Sequence, residues 1–135
     1  MEDLKDKVVA ITGGATGIGF ALAKSLGVEG AKIIIGEPRQ EALDSAIAGL
    51  SELDIEAISA PLDVANLSSV EAFADVAWEH YGRVDMLINN AGIMHPPKTL
   101  SAQGYEIQFA VNHLAHMLLT LKLLPVIEKK EESRI

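Results

Sequence analysis

Four short apolar runs, each followed by a longer stretch with helical spacing, constrain this chain more than any other feature. Val8-Val9-Ala10-Ile11 runs into Gly13-Gly14. The run is too short for a helix and apolar throughout, as in a strand buried on both faces. Ile33-Ile34-Ile35 is β-branched and stops at Gly36, and Ile55 to Ala60 and Val84 to Ile88 supply a third and a fourth strand. Between the strands, three sets of residues mark the apolar faces of helices: Ile18, Ala21, Leu22, Ser25 and Leu26; Leu43, Ile47 and Leu50; and Val70, Phe73, Ala74 and Ala77. The third helix has a capping segment, Asn66-Leu67-Ser68-Ser69. A fourth, long helix is predicted from about Ala102 to about Leu124, stopping near Pro125. Strands alternating with helices imply parallel pairing through right-handed crossovers, with helices on both faces. The expected class is α/β with a doubly wound parallel sheet, one unit over residues 1–135.

The first strand leads into Thr12-Gly13-Gly14-Ala15-Thr16-Gly17-Ile18-Gly19. Each spaced glycine has a physical task in a dinucleotide site. Gly13 turns the chain out of the strand, Gly17 admits a pyrophosphate to the backbone, and Gly19 lets the helix pack on the sheet. Thr16 and Ile18 belong to the same loop, and the helix start beyond them offers free N–H groups and a positive dipole end to phosphates. The strand before and helix after give the glycines the context they need, although an ordinary tight βα turn uses the same residue types. Such folds place an acid about 20 residues further on, on the adenosine ribose. Glu37 occupies that place. Its carboxylate accepts from both ribose hydroxyls and repels a 2′-phosphate, which favours NAD over NADP. Arg39 opposes that preference, because a guanidinium pairs with the phosphate. A solvated turn residue is the plainer alternative for Glu37.

Composition narrows the function further. The formal net charge is −8 at pH 7, and the 11 Lys and Arg residues are scattered. Nucleic-acid binding needs clustered cations and is not expected. Lys129-Lys130 is flanked by Glu128, Glu131 and Glu132 and reads as a solvated helix end. The absence of cysteine excludes disulfides, thiolate metal sites and Cys nucleophiles. No uninterrupted apolar run approaches the ~18 residues of a membrane span. The segment Met1-Glu2-Asp3-Leu4-Lys5-Asp6 has no apolar signal core. The expectation is a cytoplasmic protein with no membrane partner. His113 and His116 share a helix at a spacing that permits two metal ligands, but no third is evident. Surface or interface histidines fit them better, and no metal is expected.

Four landmarks, in order, carry a resemblance to the short-chain dehydrogenase/reductase family. Its T-G-x-x-x-G-x-G loop is similar to Thr12, Gly13, Gly17 and Gly19. Its D-V pair after the third strand is similar to Asp63-Val64, and its N-N-A-G segment to Asn89-Asn90-Ala91-Gly92. Its long-helix asparagine is similar to Asn112. Val111-Asn112-His113-Leu114-Ala115-His116 looks most like the retinol dehydrogenase-like branch. The resemblance implies a Rossmann-type sheet in strand order 3-2-1-4, truncated after the fourth strand and its following helix. It implies NAD(P)-dependent hydride transfer to or from an alcohol or carbonyl substrate, in a homo-oligomer. Asp63-Val64 would touch the adenine, and Asn112 would hold a water of the proton relay.

The same residues have plainer readings. Asp63 caps a neighbouring helix. Asn89 and Asn90 tie strands through side chain–backbone hydrogen bonds, while Ala91 and Gly92 leave room beside the backbone. Asn112, on the sheet-facing stretch of its helix, needs some partner, and a structural hydrogen bond satisfies it. The family's Tyr-x-x-x-Lys is not found. Tyr81 is followed four residues on by Asp85, and Tyr105 by Phe109. By the resemblance, Ser133-Arg134-Ile135 opens a fifth strand, and the serine, tyrosine and lysine follow it. The fourth strand is then expected as an unpaired apolar edge, which invites association. A non-catalytic dinucleotide- or partner-binding unit is the alternative to an enzyme.

Overall fold

The computed structural model describes residues 4–127 and 134–135. Strands β1 (Val8–Thr12), β2 (Lys32–Glu37), β3 (Ala57–Pro61) and β4 (Met86–Ile88) form one parallel sheet in the order β3-β2-β1-β4. Helices α1 (Gly17–Val28), α2 (Gln40–Ser51) and α3 (Leu67–Tyr81) make the crossovers. β1 sits at the centre, with Ala10 opposite Ile34 on one side and Leu87 on the other.

The two faces of β1 follow from the strand period of two. Val9 and Ile11 join Ile33 and Ile35 under α1 and α2, with Ala23, Leu43, Ala46 and Leu50. Val8 and Ala10 join Ile34 and Leu87 on the opposite face, under Val70, Phe73 and Ala77 of α3. The α1 contact differs from the expected one. Its buried residues are Gly19, Ala23 and Gly27, while Ile18, Ala21 and Ser25 are exposed. The helix comes so close that a Cβ on Gly27 would lie 2.4 Å from the Ile55 side chain.

The expected helix from Ala102 begins later, because Gly104 takes a φ of +85° and the chain turns there. Glu106 then caps the helix, accepting from the N–H groups of Gln108 and Phe109 at 2.9 and 2.8 Å. The helical rod is α4 (Ile107–Phe109), a π turn (Ala110–Leu114) and α5 (Ala115–Ile127). It runs past Pro125, which lies inside α5. Residues Ile107–Pro125 have the length and hydropathy of a membrane span. One side of this rod packs on the sheet and α3 through Ala115, Leu119 and Leu123.

β4 lies at the sheet edge, as expected, but it is not wholly unpaired. Leu87 donates its N–H to the Arg134 carbonyl at 3.0 Å, and Arg134 donates to the Asp85 carbonyl at 2.8 Å. Met1–Asp3, Ser133 and the Lys129-Lys130 run with its flanking glutamates lie outside the described residues.

The α3 cap is formed as expected, with Asn66 Oδ1 accepting from the Ser69 N–H at 3.3 Å. Asn66→Ala is expected to lower stability by about 1 kcal/mol, the usual worth of such a cap. Urea unfolding checks this through a lower midpoint at unchanged slope.

Candidate dinucleotide site

The carboxyl ends of β1, β2, β3 and β4 open onto one cavity of about 450 Å³. That size falls within the range of small-molecule sites, at the strand ends where open α/β sheets bind ligands. Ten of the sequence-predicted binding residues line it: Gly13, Thr16, Ile18, Gly19, Glu37, Asp63, Val64, Asn90, Ala91 and Gly92. Gly17 and Asn112 are not among the lining residues.

Thr12 laces the floor. It is fully buried, and its hydroxyl oxygen accepts from the N–H groups of Asn90 and Ala91 at 3.0 and 2.9 Å. Asn90 answers with Nδ2, donating to the carbonyls of Thr12 and Gly13 at 2.9 and 3.2 Å. The loops after β1 and β4 are thus one hydrogen-bonded unit, the strand-tying role expected of Asn90. Asn89 reaches the other way, to the Thr120 hydroxyl at 3.2 Å.

Above this floor the Gly-rich loop stays open. Gly13 has a φ of +62° and Gly17 one of +54°, both in the left-handed region that glycine enters without strain. Nothing lies within 4 Å of where a Gly17 Cβ would stand, so the backbone there is open to approach. The Thr16 side chain makes no cap bond to α1. The first N–H groups of the helix therefore keep their donor capacity for an anion. Ile18 is 76% exposed at the cavity mouth, an apolar side chain without protein cover.

Glu37 is the last residue of β2 rather than a turn residue beyond it, and it is buried. Its Oε1 accepts from Arg39 Nε at 2.6 Å. That hydrogen bond, and then the carboxylate's charge, raise the Arg39 pKa. The cation is therefore held against Glu37 at the rim. Asp63 turns its Oδ1 back to the Ala65 N–H at 3.0 Å, a local loop bond rather than a helix cap.

Asn112 departs from the expectation. It is exposed and faces the loop after β4 instead of the sheet. Its side chain clasps Ile93, accepting from the N–H and donating to the carbonyl, both at 2.8 Å. It stands within the π turn, a local insertion that re-aims side chains. His113 is exposed and stacks on Phe109 with ring centroids 5.3 Å apart. His116 is no surface histidine. It is half-buried, with Nε2 3.5 Å from the Thr12 hydroxyl. Tyr81 lies away from the cavity, and burial and then the charge of Glu56 push its pKa up to about 12. That shift runs against use as a proton relay near neutral pH.

A parallel α/β sheet with a glycine-lined cavity at its carboxyl edge is the architecture of a dinucleotide-binding fold. The chain belongs to the short-chain dehydrogenase family, whose profile matches residues 7–135. It is 40% identical to retinol dehydrogenase 14 of Mus musculus over 96% of its own length and 42% of that protein. A Burkholderia phymatum short-chain dehydrogenase/reductase, solved in complex with NAD, superposes with a TM-score of 0.83 at 30% identity. The match covers 94% of this chain and 46% of that one. A metagenomic short-chain oxidoreductase in complex with NADP superposes with the same TM-score, 0.83, at 29% identity, covering 93% and 58%. The chain spans about two-fifths of the length of the retinol dehydrogenases it matches.

Proposed function

We propose that this chain binds a nicotinamide dinucleotide at the strand-end cavity and is the cofactor-holding part of an oxidoreductase. In this reading the pyrophosphate lies against Gly13, Thr16, Gly17 and Gly19, with Ile18 covering it. Glu37 takes the ribose hydroxyls, Asp63 and Val64 take the adenine, and Asn90, Ala91 and Gly92 bound the nicotinamide side. The bound cofactor supplies a hydride acceptor or donor, and the substrate class is an alcohol or carbonyl compound. Asn112 contributes by holding the Ile93 backbone beside the site. A homo-oligomer in the cytoplasm belongs to the same reading.

One observation carries the proposal. A buried carboxylate, Glu37, and the loop glycines Gly13 and Gly19 line the same cavity at the ends of two adjacent strands. The Glu37–Arg39 pair also supports NAD over NADP, because the guanidinium is already engaged. A non-catalytic dinucleotide-binding unit is the second reading, favoured by the placement of Tyr81 and Tyr105, neither of which lines the cavity.

Calorimetry on the 135-residue chain tests both. NAD is expected to bind more tightly than NADP. Glu37→Gln is expected to weaken NAD by about tenfold, the worth of one hydrogen bond to a charged group, and to narrow the gap to NADP. Failure of both dinucleotides to bind would sink the proposal. Hydride transfer by this chain alone would rule out the non-catalytic reading.

A further inference from the structure

We propose that His116 is a positioning residue for the dinucleotide site, fixing the Thr12 hydroxyl as the acceptor that joins the loops after β1 and β4. The inference rests on the dinucleotide reading of the cavity, but its first two tests need no cofactor.

The case begins with the Thr12 hydroxyl. A threonine oxygen has two lone pairs and one proton. Both lone pairs are engaged by the N–H groups of Asn90 and Ala91. The proton must therefore leave in the remaining direction, since a buried hydroxyl that donates to nothing is costly. Its further polar neighbour among the described residues is His116 Nε2, at 3.5 Å. That nitrogen is useful only if it is unprotonated.

The ring's surroundings supply the reason it is. His116 stands at the start of α5, half-buried and one turn beyond the Asn112 carbonyl. Burial holds the imidazole below its ordinary pKa, against a smaller opposing pull from that carbonyl. A neutral imidazole has one donor and one acceptor. The assignment follows from Thr12: Nε2 accepts the hydroxyl proton, which leaves the ring's own proton on Nδ1. The chain of hydrogen bonds then runs from His116 through Thr12 to the Asn90-Ala91 backbone at the cavity floor. A proton on Nε2 would set two donors against each other and free the hydroxyl to rotate.

Nitrogen-15 NMR of the His116 ring in the full chain at neutral pH reads the assignment directly. A bare Nε2 is expected, and a proton found on Nε2 would overturn the proposal. Amide exchange is the second measure. His116→Leu should quicken exchange at Asn90 and Ala91 about fivefold, the scale of one net hydrogen bond, with Ile34 in the central sheet unchanged. His116→Gln keeps an acceptor near the Nε2 position and should restore protection. NAD affinity should fall about fivefold in the leucine variant and recover in the glutamine variant. Equal exchange at Asn90 and Ala91 in the parent chain and the leucine variant would refute the role. Should the parent chain bind no dinucleotide, the functional reading falls, while ring protonation and exchange still decide what His116 does.

Discussion

Gly19→Ala is expected to remove dinucleotide binding and to lower stability by about 2 kcal/mol, within the range for overpacking a close contact. A Cβ at this position would stand 2.2 Å from the Gly13 carbonyl oxygen and 2.7 Å from Asn90 Nδ2. Neither neighbour yields easily. The Gly13 carbonyl accepts from Asn90, whose own N–H is held by Thr12. Relief requires α1 to move away from the strand ends, and that shift carries the phosphate-facing turn with it. Gly17→Ala makes a useful contrast. Nothing within 4 Å would meet its Cβ, yet its φ of +54° disfavours any side chain. It should lose about 1 kcal/mol to backbone strain and lose binding because the methyl fills the open approach. Thermal unfolding and NAD calorimetry on both variants separate packing from access. An unchanged midpoint for Gly19→Ala would mean that α1 is free to slide.

The contrast shows what the sequence makes legible. Apolar runs and their order specify the sheet, because parallel strands buried on both faces have one composition and one connection rule. Spaced glycines specify the loop for the same local reason. The face of α1 escaped that logic. Large residues mark where a helix has apolar surface, but close approach to the sheet is set by the small ones, Gly19, Ala23 and Gly27. The long helix starts later than the apolar pattern implies because Gly104 turns the chain and Glu106 is an unusual cap, and the π turn has no sequence signature. Asn112 faces Ile93 for that reason, and His116 reaches Thr12. Ring partners this distant in sequence are set by tertiary packing, which periodicity does not encode. The spacing of Glu37 from the loop is visible in the sequence, whereas its burial and its bond to Arg39 are set by tertiary packing.

Asp85→Ala is the second large effect, expected to destabilise by roughly 3 kcal/mol, the lower end for breaking a buried charged pair. In the sequence Asp85 is one more residue of an apolar run. In the fold its buried carboxylate accepts from the Val8 N–H and Arg83 Nε, each at 2.8 Å, and also from Arg83 Nη2. It anchors the start of β1 to the approach to β4, where the sheet has its fewest other ties. Arg83 is partly solvated, so much of the effect comes from the abandoned Val8 N–H rather than from Coulomb attraction. Asp85→Asn, which keeps an acceptor for that N–H, should therefore be the milder change. The acid response follows from the same bonds. Burial pushes the Asp85 pKa up, but the Arg83 and Val8 hydrogen bonds and the charges of Arg83 and Lys7 outweigh it, leaving the pKa below the ordinary value of 3.8. The unfolded chain then binds the proton more readily, so this stabilisation is complete above that ordinary value and fades as pH falls through the folded one. Urea midpoints at pH 7 and pH 3 should converge between the parent chain and Asp85→Ala. A gap of constant width would place the effect in packing, not in the carboxylate.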